Sequence, residues 1–259
     1  MTGSTHARVA LALVLAVSLA GCGATNLPFL GDDPAEDGQA EAIAADAVSE
    51  MQSVSAYNFT TTQIVSFGQN EVNMTADGTV NHTSERLYMD VAESVLTNTT
   101  RSKEFTEVYV VDDTRCWKDS STESGWNSTT VSGVWNQGLS VDSQAALLNA
   151  TGTSAVLREN QTVRGETAYV VEIAPNVNAL KEAVANDSTV DLTEVTVRNA
   201  TITQYVSQDD RRLLRTTMHV TFVQQGRKTT VDLEMNYDDY DDVGQITIPE
   251  TEDDGPVCP

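Results

Sequence analysis

The sequence predicts an α+β domain in which antiparallel strands dominate and three short helices interrupt them. Three observations carry that prediction. Many runs rich in Val, Thr, Tyr and Phe alternate apolar with polar side chains, the period of two that leaves one face of a strand dry. Clusters of Gly, Asn, Asp and Ser separate those runs at turn positions. Three other segments space their apolar residues every three or four positions, as a helix requires. The first of these covers residues 40–53, with Ala42, Ile43, Ala47, Val48 and Met51 on one stripe and Glu41, Asp46 and Glu50 elsewhere. A strand over 56–67 follows, placing Tyr57 and Phe59 on one face and Asn58 on the other. Val72, Met74, Ala76 and Val80 repeat the alternation, and strands over 86–94, 103–112 and 114–119 continue a meander. "VDSQAALLNA", residues 141–150, reads as a helix capped by Asp142. Strands over 154–161 and 166–174 pair through a turn at Arg164 and Gly165. After Pro175, "NVNALKEAVAN" sets Val177, Leu180 and Val184 on one stripe. Long strands over 190–207, 211–224 and 228–237 close the domain through the turns "QDD" and "QGR". In the middle one, Leu214, Met218, Val220 and Phe222 oppose Arg215, Thr217, His219 and Thr221, so that sheet has a dry face.

This element order, with "AVSEMQSVSAYNFTTTQ" near its start, "VRGETAYVVEIAP" before the last helix and late strands ending in "ITIP", resembles the LolA/LppX-like group of lipoprotein carriers and lipid-binding lipoproteins. It is also similar to uncharacterised lipoproteins of halophilic archaea. The resemblance implies a large curved antiparallel sheet, a half-barrel, with helices packed in its concave face. It further implies that Tyr57, Phe59, Met74, Leu180, Val184, Met218 and Phe222 face one interior. Those residues either meet as a packed core or line a cleft that admits a lipid or other apolar ligand.

Residues 1–39 carry a different message. The apolar run from Val9 to Ala20 is too short for the roughly 20 residues that a membrane-crossing helix needs. Arg8 precedes it and "LAGC" closes it, the order of a secretory signal peptide. "LAGC" resembles the lipobox of lipoprotein signal peptides, which implies cleavage of residues 1–21 and a thioether-linked lipid on Cys22. No Arg-Arg pair stands in the leader, so the export route stays open. Residues 22–39, a mixture of Gly, Pro and Asp without periodicity, read as a flexible tether, residues 40–250 as the domain, and residues 251–259 as an acidic tail. The expected setting is the extracytoplasmic face of a cell membrane.

Charge fits that setting and excludes others. Without Arg8, the chain carries 14 of its 15 basic residues against 38 acidic ones, a net charge of −24. Nucleic acid and anionic lipid are excluded as partners bound by charge. An acid-rich surface with four lysines against 11 arginines resembles proteins of extreme halophiles, in which salt screens self-repulsion. Nine of 15 asparagines open an N-x-S/T sequon: Asn58, Asn73, Asn81, Asn98, Asn127, Asn149, Asn160, Asn186 and Asn199. They are either glycan acceptors of a surface protein or a by-product of Thr-rich strands. Cys116 and Cys258 remain after lipidation, and in an exported chain such a pair forms a disulfide, with two free thiols the alternative.

The search for chemistry is negative on the main motifs: G-x-S-x-G, H-E-x-x-H, C-x-x-C, a phosphate loop and G-x-G-x-x-G are all missing. No catalytic residue, metal site or cofactor is expected. Outside the leader the histidines are His82 and His219, the latter a base or a plain exposed side chain. "DDYDD", residues 238–242, lacks the spacing of a Ca²⁺ loop and reads as a solvated acidic turn before it reads as a cation site. "RRLLR", residues 211–215, supplies ion-pair partners or an anion site. Besides an enzyme, the class with least support, two function classes follow: a membrane-anchored carrier of an apolar ligand, and a non-catalytic, glycosylated surface protein that meets other envelope components. Both require the anchor. The Cys22→Ser chain is expected to leave the membrane fraction or to stay unprocessed; unchanged membrane attachment and gel mobility would refute lipidation.

Overall fold

A computed structural model of the chain describes residues 37–97, 100–120, 125–131, 150–181, 195–224, 226–250 and 258. One helix, α1 (Asp37–Ser53), leads into strands β1 (Ala56–Phe67), β2 (Asn70–Asn81), β3 (Arg86–Leu96), β4 (Arg101–Val111), β5 (Thr114–Asp119) and β6 (Asn127–Thr130). After them come β7 (Ser154–Val163), β8 (Glu166–Ala174), β9 (Val195–Ser207), β10 (Leu213–Gln224) and β11 (Arg227–Asp238). All belong to one 11-stranded sheet in the order β6-β5-β4-β3-β2-β1-β11-β10-β9-β8-β7. Each strand therefore pairs with its neighbour in sequence, except where β1 meets β11.

The α+β class expected from the sequence is overturned. The described residues are almost entirely a single antiparallel sheet, and helix is confined to α1 and a short piece over 177–181. Of the helix expected over 141–150, residues 141–149 lie outside the described residues, as does the second half of the one after Pro175. Counting helical and strand segments alike concealed the imbalance in their number: among the described residues 11 strands stand against one long helix and one short piece. Of the shape that the resemblance implied, a single apolar cluster joins α1 to one face of the sheet, and α1 packs mainly against β7, β8 and β9.

The helix begins at Asp37, ahead of its expected start, and its phase differs by a fraction of a turn. Ala40, Ile43, Ala44, Ala47, Val48 and Met51 are buried, whereas Ala42 is exposed. Half of that i, i+3, i+4 stripe is alanine, which lets the helix axis come close to the strands. β6 was not expected, because "NSTT" contains no apolar residue to mark it. The β7–β8 turn is as the sequence implies. Arg164 and Gly165 both take positive φ, 49° and 91°, the pair of left-handed residues that suits a two-residue hairpin.

Two local features set the inner face. In β10 the register to β9 shifts between Leu213 and Arg215, and this bulge reverses the parity of the strand's first residues. Leu213 is consequently buried at 1% exposure, and Leu214, expected inside, is not in the core. In β2, Gly78 faces Phe59 across the β1–β2 ladder. A Cβ there would meet the Phe59 ring at 2.5 Å and the Tyr88 carbonyl oxygen at 2.6 Å, so the aromatic ring packs flat over bare backbone. Gly78→Ala is expected to cost about 1–3 kcal/mol, read as a lowered urea midpoint with unchanged slope; an unshifted midpoint would show that Phe59 does not need the space.

Candidate functional site

The inner face of the sheet is built by every second residue of the central strands. On β1 these are Tyr57, Phe59, Thr61 and Gln63, all buried. Register carries them outward: Phe59 lies between Tyr237 of β11 and Gly78 of β2, and Gln63 between Leu233 and Met74. Further out, Met74 opposes Glu93 of β3, and Leu233 opposes Met218 of β10. Tyr57 anchors one end through edge and tilted contacts with Tyr237 at 5.7 Å and Tyr240 at 6.2 Å between ring centroids. The fully buried phenol of Tyr237 is pushed up to about 12 by burial, so this aromatic end of the core stays neutral.

The residues proposed from the sequence for an apolar ligand fall together. Tyr57, Phe59, Met74, Leu180 and Met218 are buried in one cluster, and Phe222 packs against it half-buried. Val184 lies outside the described residues. Leu180 is aimed inward by Asn176, whose side-chain oxygen accepts from the backbone N–H groups of Asn178 and Ala179 at 2.9 and 3.1 Å and so caps the short helix. Asn176 is itself held by Thr153 and Thr151, which ties the helix to the chain before β7.

Polar groups also face inward, and the alternation of apolar residues gives no sign of them. Thr61 donates to the Glu234 carbonyl at 3.1 Å. Gln63 and Gln204 are 1% and 2% exposed, and the side-chain carbonyl oxygen of each makes no hydrogen bond. On the β3–β5 wing, Thr106 donates to Asp119 at 2.9 Å. Arg115 is held below its usual range by burial, an effect that the Asp119 charge opposes. Burial, and next the charge of Glu104 across the ladder, raises the Glu93 carboxyl above its usual range.

The opposite face is polar. His219 Nδ1 lies 2.6 Å from Asp232 and its Nε2 3.5 Å from the Thr221 hydroxyl. These groups sit half-exposed on the outward surface, and the contact to Thr221 is too long to activate a nucleophile. The acidic turn is structural: Asp241 accepts from the Ser55 N–H and hydroxyl, both at 2.8 Å, and from Arg212 at 3.0 Å. The Ser55 hydrogen bonds, backbone first, hold its carboxyl below the usual range. Asp239 accepts from Asn58 at 2.8 Å and Asp238 pairs with Arg164. Among the described residues no three His, Cys, Asp or Glu side chains gather as a metal site. The "RRLLR" arginines serve as partners: Arg211 stacks on Tyr169 at 4.6 Å, Arg212 reaches Asp210 and Asp241, and Arg215 reaches Asn236 and Glu234.

The remaining sequence-derived sites are scattered. Cys116 and Cys258 form a disulfide with Cα atoms 5.7 Å apart. It sits in a small second core on the outer face with Tyr109 and Ile246. Asn160 and Asn199 are exposed, Asn73 and Asn127 half-buried. The side-chain oxygen of Asn81 accepts from the Ser84 N–H, and the amide of Asn58 is engaged at both ends by Asp239 and Thr79. Asn98, Asn149, Asn186 and Cys22 lie outside the described residues.

No protein-family model matches the chain, and no curated protein matches it. Solved structures do. LprF from Mycobacterium bovis is 13% identical, with 83% of this chain and 98% of that one covered and a TM-score of 0.50. The Mycobacterium tuberculosis lipoprotein LppX is 9% identical, with 82% and 100% covered and a TM-score of 0.49. A putative outer membrane lipoprotein-sorting protein domain from Vibrio parahaemolyticus is 9% identical, with 78% and 93% covered and a TM-score of 0.28. The likeness to LprF shows a shared fold.

The Glu93 environment gives a pH signature. A carboxyl whose folded value is raised contributes stability below its unfolded value and loses it as pH climbs through the folded one. Glu93→Gln is expected to raise the melting temperature by roughly 1–2 °C at pH 7, the effect being discounted for partial exposure. The gain should vanish below the ordinary glutamate value of 4.5. A gain independent of pH would assign it to packing instead.

Proposed function

We propose that the chain is an exported lipoprotein, anchored through Cys22, whose domain holds a lipid or other long apolar molecule against the inner face of its sheet. The observation that carries this reading is the mismatch between that face and its helix. α1 packs mainly on β7–β9, whereas apolar side chains continue across β11, β1, β2 and β3 as far as Val91 and Met89. Met89, Met74, Val91 and Met235 are themselves buried, so this apolar interior is wider than one helix and an acyl chain would enter it by parting that packing, held by contact area alone. The methionines on that face, Met74, Met89, Met218 and Met235, together with Met51 of α1 in the same cluster, adapt to irregular shapes better than branched side chains do. Fold likeness to LprF is consistent with this reading. The net charge of −24 leaves contact area, not attraction to anionic headgroups, as the source of affinity.

The domain would work close to the bilayer. A flexible tether over 22–39 has a root-mean-square reach of roughly 20–25 Å. Among the described residues, exposed Asn160 and Asn199 are the sequons best placed to carry glycans.

The test is recovery of the ligand. Chain purified gently from its host is extracted with organic solvent, which leaves a thioether-linked anchor on the protein and releases only bound molecules. Mass spectrometry of the extract is expected to show a long-chain apolar compound in near-stoichiometric amount. An empty extract, from a protein whose interior proves solid at high resolution, would overturn the reading and leave the surface-protein alternative.

A further inference from the structure

Gln63 and Gln204 are the two largest polar side chains buried with the core, at 1% and 2% exposure. Gln63 faces inward between Met74 and Leu233, and Gln204 between Val171 and Thr216. Neither side-chain carbonyl oxygen has a hydrogen-bond partner. An unpaired acceptor at such a depth keeps the full cost of leaving water, and leucine of similar shape would avoid it. Glutamine at two apolar-facing positions is explained when something else brings the donors. From the register, the two residues are three strands apart, through β11 and β10, about 14 Å across the strands, and Gln204 lies two residues along β9 from Ile202, the position level with Gln63, which puts them about 16 Å apart.

We infer that the molecule held on the inner face is a hydroxylated long-chain compound, whose alcohol groups donate to the Gln63 and Gln204 side-chain oxygens while its hydrocarbon covers the methionine-rich surface between them. This rests on the proposed function and adds the chemical class of the ligand. A hydroxyl suits the site on both counts. It donates to the carbonyl, and it accepts from the amide NH₂ of the same side chain. A carboxylate does not suit it, because it would place a charge in an apolar interior, and its oxygens would meet the unpaired glutamine oxygens as acceptor against acceptor.

Two labelled probes delivered from cyclodextrin test the inference: 1,12-octadecanediol, whose two alcohols are separated by a span comparable to that between the glutamines, and octadecane, which has none. The full chain is expected to bind the diol roughly tenfold more tightly, the product of two hydrogen bonds of modest net strength. Gln63→Leu and Gln204→Leu should each reduce that preference about threefold, and the double variant should bring the ratio near one. Both variants should melt at or above the parent temperature; if leucine disturbs folding at either position, methionine, unbranched like glutamine, takes its place. Equal binding of the two probes by the parent chain, or a preference that survives in the double variant, overturns the hydroxyl assignment and leaves the apolar-ligand reading standing. Binding of neither probe overturns both.

Discussion

The ladder between β1 and β11 is the constraint on which the rest of the structure depends. Strands β1 to β6 form one meander and β7 to β11 another, and within each the pairing is between sequence neighbours. The seam from Asn58↔Asp238 to Phe67↔Thr229 alone makes them one sheet. Closing so long a loop is entropically expensive, and the cost is offset only when the seam forms as a whole. Its inward residues provide the reward: Phe59 against Tyr237, Thr61 against Met235 and Gln63 against Leu233 are all buried. The acidic turn after β11 then fastens one end. Asp241 takes two hydrogen bonds from Ser55, just before β1, while its backbone N–H donates to the Ala56 carbonyl at 2.8 Å. What looks in the sequence like a run of solvated aspartates is a clasp across the seam.

Once the seam is made, the two faces of the sheet follow separate rules. The inner face carries the apolar parity and meets α1. The outer face over the central strands is threonine-rich and polar, with ion pairs such as Arg158 to Glu172 at 2.6 Å on its β7–β8 wing. Over β3–β5 the outer face is covered: Tyr88, Tyr109 and Trp126 stack at 4.9 and 5.6 Å, and Ile246 lies against them. Arg86 donates to the Ile246 carbonyl at 2.9 Å, and the Cys116–Cys258 disulfide fixes Cys258 in the same small core. A tail rich in Asp and Glu has little apolar surface with which to dock. The bond between Cys116 and Cys258 supplies a covalent attachment instead.

Much of this arrangement was legible in the sequence, and the failures have physical causes. The β1–β2 hairpin and the β7–β8 turn were readable because alternation and a left-handed turn pair are local signals. The stripe of α1 was readable to within a fraction of a turn; alanine is nearly neutral to burial, so Ala40 and Ala44 could not be told from Ala42. Leu214 was misplaced because strict alternation cannot register the bulge that buries Leu213 in its stead. Gln63 and Gln204 were invisible for the opposite reason. A polar residue at an apolar parity looks like noise until burial shows it is not. The roles of Asp239 and Asp241 depend on partners 181 and 186 residues away, beyond any local pattern.

The edges of the sheet explain how a structure of this width stays open. Among the described residues the 11-stranded sheet does not close into a barrel, and its two margins have no further strand, an arrangement that invites association with other strands. Here one margin is β6, four residues long and mostly exposed, too short to template another strand. The other is β7, whose pairing with β8 is broken between Arg158 and Gln161 and whose outer residues include Arg158 and Glu159. Brevity at one edge and irregularity with charge at the other remove the need for closure. An inner face bounded by such edges is filled by side chains and helix, not sealed by hydrogen bonds. Its width is therefore set by packing, which a bound chain molecule can alter at much smaller cost than it could separate two paired strands.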